Sequence, residues 1–469
     1  MHLQEEDLIG KTDKIEIFNN IGHWYEEENT SDAHIINLEG RLTVQLEVSP
    51  TPRIYWEFEK ARGTDNLSPR PSSNIQLTSW DGAESQLIIK NPRPNSWISG
   101  RQVVSGYAKS VEYGDPDHQA HYFKFYLPNT DFIRVALKQG LNIIRNQMPN
   151  SEFWAQIRDG WNLSLNTTQD AIDWLDPQSQ NRGSMITLSI GLFQDAQRNR
   201  QITTQSISEL QTLSLREAKK IVDKLCLLLS YANGGSVAPI YSSAVQFFAD
   251  EGDVNLQTVA SICEVYPVIK PQEEIGISFL ADYGIKDVLT LIENFTRFET
   301  MHQTSHWQKK WGLILEWYFQ AIPKAGGRQK NKHPSILANV LGTLLENVCQ
   351  LILVKDQLIS NGKYQDLGAV KRIRELQKEM GIIPSQDIEL FNKIRTNSTH
   401  AKQKTIERDG IKLSGLQEYE VIQQAIQWVE EMILWRLGYS GAHRSRSLRE
   451  ETTITPRYSF EKRKAKWDE

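Results

Sequence analysis

The chain has 469 residues, a mass of 53.9 kDa, 24% charged residues and a formal net charge of -5. At roughly 100 to 200 residues per domain this is material for about two to four domains, which excludes a lone small binding module. The opening MHLQEEDLIGK lacks a basic n-region and an apolar h-region, and no apolar run approaches the ~18 residues of a bilayer span. Neither secretion nor membrane insertion is expected. Cys226, Cys263 and Cys349 lie far apart, which leaves neither a disulfide framework nor a CxxC metal knuckle. The expected compartment is a reducing cytoplasm, and no cofactor or metal is called for.

The charge is unevenly spread. Residues 301–469 carry 27 Lys and Arg against 19 Asp and Glu, a net of +8, which leaves -13 for residues 1–300. An acidic half joined to a basic half is the pattern of a polyanion-binding part coupled to something else. Eight of the basic residues follow His443: Arg444, Arg446, Arg449, Arg457, Lys462, Arg463, Lys464 and Lys466. The seven from Arg446 on make residues 446–469 a basic tail, one able to contact phosphates or to stay unfolded.

In chain order, residues 41–48 (RLTVQLEV) alternate apolar and polar residues with the period of a half-buried strand. Residues 53–59, 121–127 and 185–192 repeat the pattern, with turn-rich SPRPSS and NPRPNS between strands. Residues 1–205 therefore read as a β-rich, sandwich-like domain with a helical insert near 131–147. Ser214 with Glu217 three residues later is a capping box, and Ile221, Leu225, Leu228 and Leu229 follow at helical spacing until Asn233-Gly234-Gly235 ends the run. Residues 206–300 read as a mixed connecting region.

From 301 to 445 the pattern is helical. Leu337, Leu341, Leu344, Leu345, Val348 and Ile352 form one apolar stripe, and Ile422, Ala425, Ile426, Val429 and Ile433 form another. The second is opened by the Ser414/Gln417 capping box and closed at Gly438. Shorter helices are expected near 367–380 and 385–396, with a further one around Trp311, Leu315 and Tyr318. The expected fold class is α+β, a β-rich N-terminal region followed by an all-α bundle.

Four Arg–His pairs are separated by four to six residues: Arg297/His302, Arg328/His333, Arg395/His400 and Arg436/His443. Arg395/His400 stands out by context. Ile388, Leu390, Phe391 and Ile394 anchor the preceding turns, after which Arg395 to Thr399 are all polar and have no packing reason to sit together. Arg328/His333 is the rival, in the basic loop AGGRQKNKHP, where Arg328, Lys330, Lys332 and His333 are candidate phosphate contacts, as are Arg444 and Arg446 further on.

A helical bundle with R-x4-6-H late in a helix, then a long closing helix ending WRLGYSGAHRSR, resembles the HEPN ribonucleases. GWNLSLN leading to RGSMITLSIGLF, together with KLCLLLSYANGGSVAPI, extends the resemblance to the larger ApeA-type antiphage defence proteins. The resemblance implies an HEPN-like bundle, a homodimer with the site at its interface, RNA as substrate, and an N-terminal region that senses a phage-derived trigger. HEPN enzymes favour Asn, Asp or His directly after the Arg, whereas this chain has Thr396 there and Asn397 one place later.

The residue types suit the chemistry. RNA carries its own nucleophile, the 2'-OH, so metal-independent cleavage requires a proton-transfer group and a cation. His400 supplies the first near neutral pH, and the planar fork of Arg395 the second. Asn397 and Thr396 are supporting candidates. An offset of five residues on a straight helix places two side chains about 140° apart. Convergence then requires a helix break between Thr396 and Thr399, or two bundles paired about a two-fold axis.

The alternative expectation is a non-catalytic module that dimerises or binds RNA or protein. Weaker metal candidates are His302/His306 and the turn Asp115, Asp117, His118 and His121. No P-loop, Rossmann fingerprint, GxSxG or HExxH is present.

Overall fold

Strict alternation places every second side chain on one face of an extended chain. In the computed structural model, the alternating runs at 41–48 and 53–59 are adjacent strands of one large antiparallel sheet. The structure describes residues 8, 14–26, 36–49, 51–60, 75–79, 86–90, 92–98, 103–130, 153–158, 160–166, 184–194, 207–250, 253–266, 275–280, 285–324, 333–399, 406–446 and 453–467. The helical insert read near 131–147 lies outside them.

The strands are β1 (Lys14–Glu26), β2 (Ile36–Glu47), β3 (Arg53–Lys60), β4 (Ile75–Ser79), β5 (Gln86–Lys90), β6 (Arg93–Ile98), β7 (Val103–Ala108) and β8 (Ser110–Gly114). They continue as β9 (Gln119–Ala120), β10 (Tyr122–Pro128), β11 (Phe153–Arg158), β12 (Trp161–Asn166), β13 (Ile186–Gln194), β14 (Leu213–Ser214), β15 (Tyr241–Asp250) and β16 (Asp253–Glu264). Fourteen of them form one sheet in the order β11-β12-β13-β10-β15-β16-β8-β5-β4-β1-β2-β3-β7-β6, and β9 pairs separately with β14. The runs expected at 121–127 and 185–192 are β10 and β13, which pair with each other.

The sheet is bent back by its connectivity. β7 and β8 are separated only by Lys109, yet β7 bonds to β3 while β8 bonds to β5. Following the strands from β8 through β5, β4, β1, β2 and β3 therefore returns to the same stretch of chain. Ile15, Ile17, Leu42, Val44, Leu46, Ile54, Trp56, Phe58, Leu87, Ile89, Val104 and Val111 from these strands share one apolar core with Tyr126, Ile186, Tyr241 and Cys263 of the neighbouring strands. Trp56 lies opposite Gly106 on the neighbouring strand, and its indole N–H donates to the Tyr107 carbonyl at 3.3 Å. Burying an aromatic side chain of this size contributes about 2–3 kcal/mol.

Helix α1 (Leu215–Asn233) begins at the expected capping box: the Ser214 amide donates to Glu217 at 2.8 Å, and the Glu217 amide donates to Ser214 Oγ at 3.2 Å. Gly234, at φ +66, ends it. The stretch read as a mixed connection is divided by the fold. β15 and β16 form a long hairpin that joins the main sheet between β10 and β8, so they belong to the β-rich unit. That unit contains these sixteen strands, and the described residues from Ile275 onward form a second, mainly helical unit with two short two-stranded ladders, to which the end of α1 from Leu228 also belongs. The α+β class is thus observed, with β strands first and helices after.

The helices of the second unit are α2 (Ile285–Glu293), α3 (Phe295–Gln303), α4 (Ser305–Ala321), α5 (Pro334–Gln350), α6 (Asn361–Gln365), α7 (Ala369–Glu379), α8 (Asp387–Thr399), α9 (Gly415–Leu437) and α10 (Phe460–Trp467). The apolar stripe from Leu337 to Ile352 makes α5 the central element, in contact with α4, α7, α8 and α9. A π-helical turn, Leu351–Lys355, follows it directly. Pro334–Lys355 is the one helical run among the described residues long and apolar enough to cross a membrane; its most apolar window has a mean hydropathy of 1.6, and 61% of that window is buried in the protein, as a core helix would be. α9 carries the expected capping box at Ser414/Gln417 and ends at Gly438, φ +76.

The basic tail, where it is described, is folded onto the helical unit. Ser459 N–H donates to the Met380 carbonyl at 2.7 Å, Lys466 pairs with Glu379 at 3.0 Å, and Trp467 packs edge-on against Trp435. Tyr458 and Arg463 are buried.

Candidate functional site

The four Arg–His pairs occupy different environments. Arg297 on α3 donates to the Asn294 side chain at 2.9 Å, and His302 stacks on Phe298. Arg436 and His443 are both buried: Arg436 donates to Asp356 at 2.6 Å and lies over the Trp467 ring, while His443 Nε2 is 3.7 Å from buried Glu431. Those two serve packing and charge compensation within the unit. Arg328, Lys330 and Lys332 lie outside the described residues. His333 is the N-cap of α5, its Nδ1 accepting the Ser335 amide at 3.4 Å.

Arg395 is placed differently. It sits two-thirds of the way along α8, where Ile388, Phe391 and Ile394 are buried against the rest of the unit and their apolar side chains orient the helix. Its side chain is 26% exposed. The stem crosses Gly342 of α5 so closely that a Cβ there would come within 2.5 Å of Arg395 Cδ and Nε. At the end of that path Nη1 donates to Glu346 Oε1 at 2.8 Å. Gly342 and Glu346 are four residues apart and therefore share one face of α5.

This seat lines a recess of about 290 Å3, counting space open to solvent, between α5, α7 and α8. Leu345, Ile373 and Phe391 make its apolar wall, and Arg372, Asn392 and Arg395 its polar rim. Arg372 is held over the Tyr364 ring, 4.2 Å from its centroid, and donates to the Tyr364 carbonyl at 3.3 Å. Cys349 also lines the recess. Burial pushes its thiol up to about 12, which removes it as a nucleophile near neutral pH.

The helix does not break where a break was considered. α8 is helical through Thr399, beyond the expected end at 396, so Arg395, Thr396 and Asn397 project in regular helical phase. Thr396 Oγ1 donates back to the Asn392 carbonyl at 2.7 Å, a bond within its own helix. Asn397 is half-buried two positions from Arg395. His400 lies outside the described residues.

One basic candidate, Arg446, is corrected in role. Arg446 is buried, donating to Glu430 at 2.6, 3.1 and 3.2 Å and to the Ile277 carbonyl at 3.1 Å. It neutralises an internal carboxylate and is not presented to a polyanion. Arg444 lies in a short two-residue strand whose amide donates to the Phe279 carbonyl. The metal candidates are also dispersed. His302 ends α3 and His306 opens α4, with Thr304 extended between them. His118 bonds Gln246, Asp117 pairs with Arg216, and His121 Nδ1 accepts the Phe247 amide.

Glu346, Gly342 and Arg372 are the residues that the sequence pattern did not single out. A signal was there: a glycine inside an apolar helical run, followed one turn later by an acid. No family model, curated protein or solved structure matches the chain.

Proposed function

We propose that the chain is a metal-independent endoribonuclease of the HEPN type, acting in the cytoplasm as a homodimer in antiviral, abortive-infection-like defence. The observation that carries this reading is the seat of Arg395, a partly exposed arginine held on a built face of the helical unit, whereas Arg436 of one rival pair is buried against Asp356 and Arg297 of another bonds the neighbouring Asn294 side chain. The resemblance of the R-x4-H context to the HEPN ribonucleases supplies the reaction class. Its wider resemblance to ApeA-type proteins supplies the defence role and a phage-derived trigger acting on the β-rich region.

In this reading the 2'-OH of RNA attacks the adjacent phosphorus and the bond to the 5'-oxygen breaks, leaving a 2',3'-cyclic phosphate. His400 moves the proton, and Arg395 compensates the charge that develops on the phosphoryl oxygens. With α8 regular through Thr399, side chains five residues apart point about 140° away from each other. The reading therefore includes a two-fold partner whose motif completes the cleft.

The test uses full-length protein and end-labelled RNA. Arg395→Ala and His400→Ala each lower the cleavage rate by about two orders of magnitude or more. Co-refolding the two inactive variants restores part of the activity, because one mixed cleft regains an arginine and a histidine. If both variants cleave normally while an Arg328/His333 variant does not, the wrong motif has been chosen. A mixture as inactive as its parents rules out the shared cleft.

A second reading is a non-catalytic module that dimerises and binds RNA or protein. The commitment of the Thr396 hydroxyl to its own helix, at the position where HEPN enzymes favour Asn, Asp or His, favours it. A dimer that binds labelled RNA without cutting it, with or without chelator, would establish this reading instead.

A further inference from the structure

We propose that Gly342 and Glu346 are positioning residues that preset the Arg395 guanidinium for its phosphate. This rests on the reading of Arg395 as the cation of the cleavage site. Glycine in a helix interior weakens the helix relative to alanine, so a glycine in the middle of α5 calls for a local reason. Here the reason is visible. The Arg395 stem occupies the space a side chain at 342 would take, with Cδ and Nε at 2.5 Å and Cζ at 2.8 Å from the position of a Cβ.

One turn further along the same face, Glu346 receives the Nη1 hydrogen bond at 2.8 Å. The glycine thus fixes the path of the stem, and the carboxylate fixes the head. A guanidinium carries its five N–H donors in one planar fork, so the bond to Glu346 restrains the plane in which the fork lies. The pair is part-exposed, at 26% and 40% of the side chains, so it adds little to stability and its consequence lies in orientation.

What must move when Gly342 gains a side chain is the far end of a flexible arginine. Gly342→Ala therefore displaces the guanidinium without disturbing the fold. The same holds for Glu346→Gln, which keeps the shape and weakens the charge-assisted bond. Displacing a charge-stabilising group by about 1 Å costs on the order of a hundredfold in rate.

The experiment measures kcat and KM for RNA cleavage, with thermal unfolding alongside, for Gly342→Ala, Glu346→Gln and Arg395→Ala, and for each of the first two combined with Arg395→Ala. We expect kcat to fall by about 10- to 100-fold in both positioning variants, with KM within about twofold and Tm within about 4 °C of the parent. In the Arg395→Ala background neither substitution lowers the residual rate further by more than about twofold, since the group they position is gone.

Unchanged kcat in Gly342→Ala and Glu346→Gln, with Arg395→Ala inactive, overturns the proposal and leaves the ribonuclease reading standing. A rise in kcat for Glu346→Gln also overturns it, making the carboxylate a competitor for the arginine. If Arg395→Ala cleaves normally, the reading fails and the proposal with it.

Discussion

The sharpest stability test of the helical unit is Arg446→Ala. Glu430 on α9 is fully buried, and its Oε1 accepts both the Tyr318 hydroxyl at 2.6 Å and Arg446 Nη2 at 2.6 Å. Burial alone would drive the Arg446 guanidinium toward its neutral form; the Glu430 charge and the Tyr318 hydroxyl outweigh this and hold it charged. Removing the arginine leaves a buried carboxylate without its counter-ion, which costs about 3–5 kcal/mol. At about 2–4 °C per kcal/mol for a unit of this size, Tm falls by about 6–20 °C. Calorimetry measures the shift, and hydrogen exchange on peptides of α9 assigns it to the helical unit.

The triple variant Tyr318→Phe/Glu430→Leu/Arg446→Met removes the buried carboxylate together with its cation and its hydroxyl donor, and recovers most of that loss because no buried charge is left uncompensated, the Ile277 carbonyl losing a donor. A shift under about 2 °C for Arg446→Ala, accompanied by weaker RNA binding, would refute the reasoning. It would show the guanidinium facing solvent and polyanion, as the sequence pattern of the basic tail first suggested.

Two further outcomes follow from the same unit. Glu431 is buried, which raises its carboxyl, but His443, Arg457 and Gln427 outweigh burial and hold it below the usual carboxylate range. A depressed carboxylate contributes stability above its unfolded pKa of about 4.3 and loses it as pH falls through the lower folded value. Glu431→Gln is therefore expected to be less stable at pH 7 and to lose part of the drop in Tm that wild type shows between about pH 5 and 3; parallel curves would contradict this. Burial raises the thiols of Cys226, Cys263 and Cys349, the last to about 12, so a disulfide reagent at pH 8 should titrate none of the three until the protein is unfolded. Rapid labelling of the native protein would show that one of them is exposed.

Local chemistry was legible in the sequence. The two capping boxes, Ser214/Glu217 and Ser414/Gln417, form as reciprocal hydrogen bonds, because each needs only residues three apart. The glycines at 234 and 438 adopt the positive φ that ends a helix. The alternating strands also appear, since alternation reports a buried face directly. Strand order was not legible. β16 lies beside β8, and Cys263 pairs with Val111 across a sequence separation that no local pattern encodes. β15 contributes Tyr241-Ser-Ser-Ala-Val, whose small polar residues are buried in the middle of the sheet instead of alternating with apolar ones. That is why the hairpin read as connection.

The candidate site was half legible for a related reason. Arg395 announced itself because a polar run interrupts an apolar helix, a one-dimensional signal. Its seat is a property of two helices: Gly342 and Glu346 acquire meaning only when α8 is laid across α5. The same contact bears on the partner argument. Arg395 is anchored to α5 on one side of α8, and on a regular helix side chains five places apart point about 140° away from each other. The proposed chemistry therefore calls for a histidine presented on the α5 side of α8, which the proposed second copy would supply. The mixed-variant experiment tests this, because only a cleft built from both copies regains activity when neither copy has an intact motif.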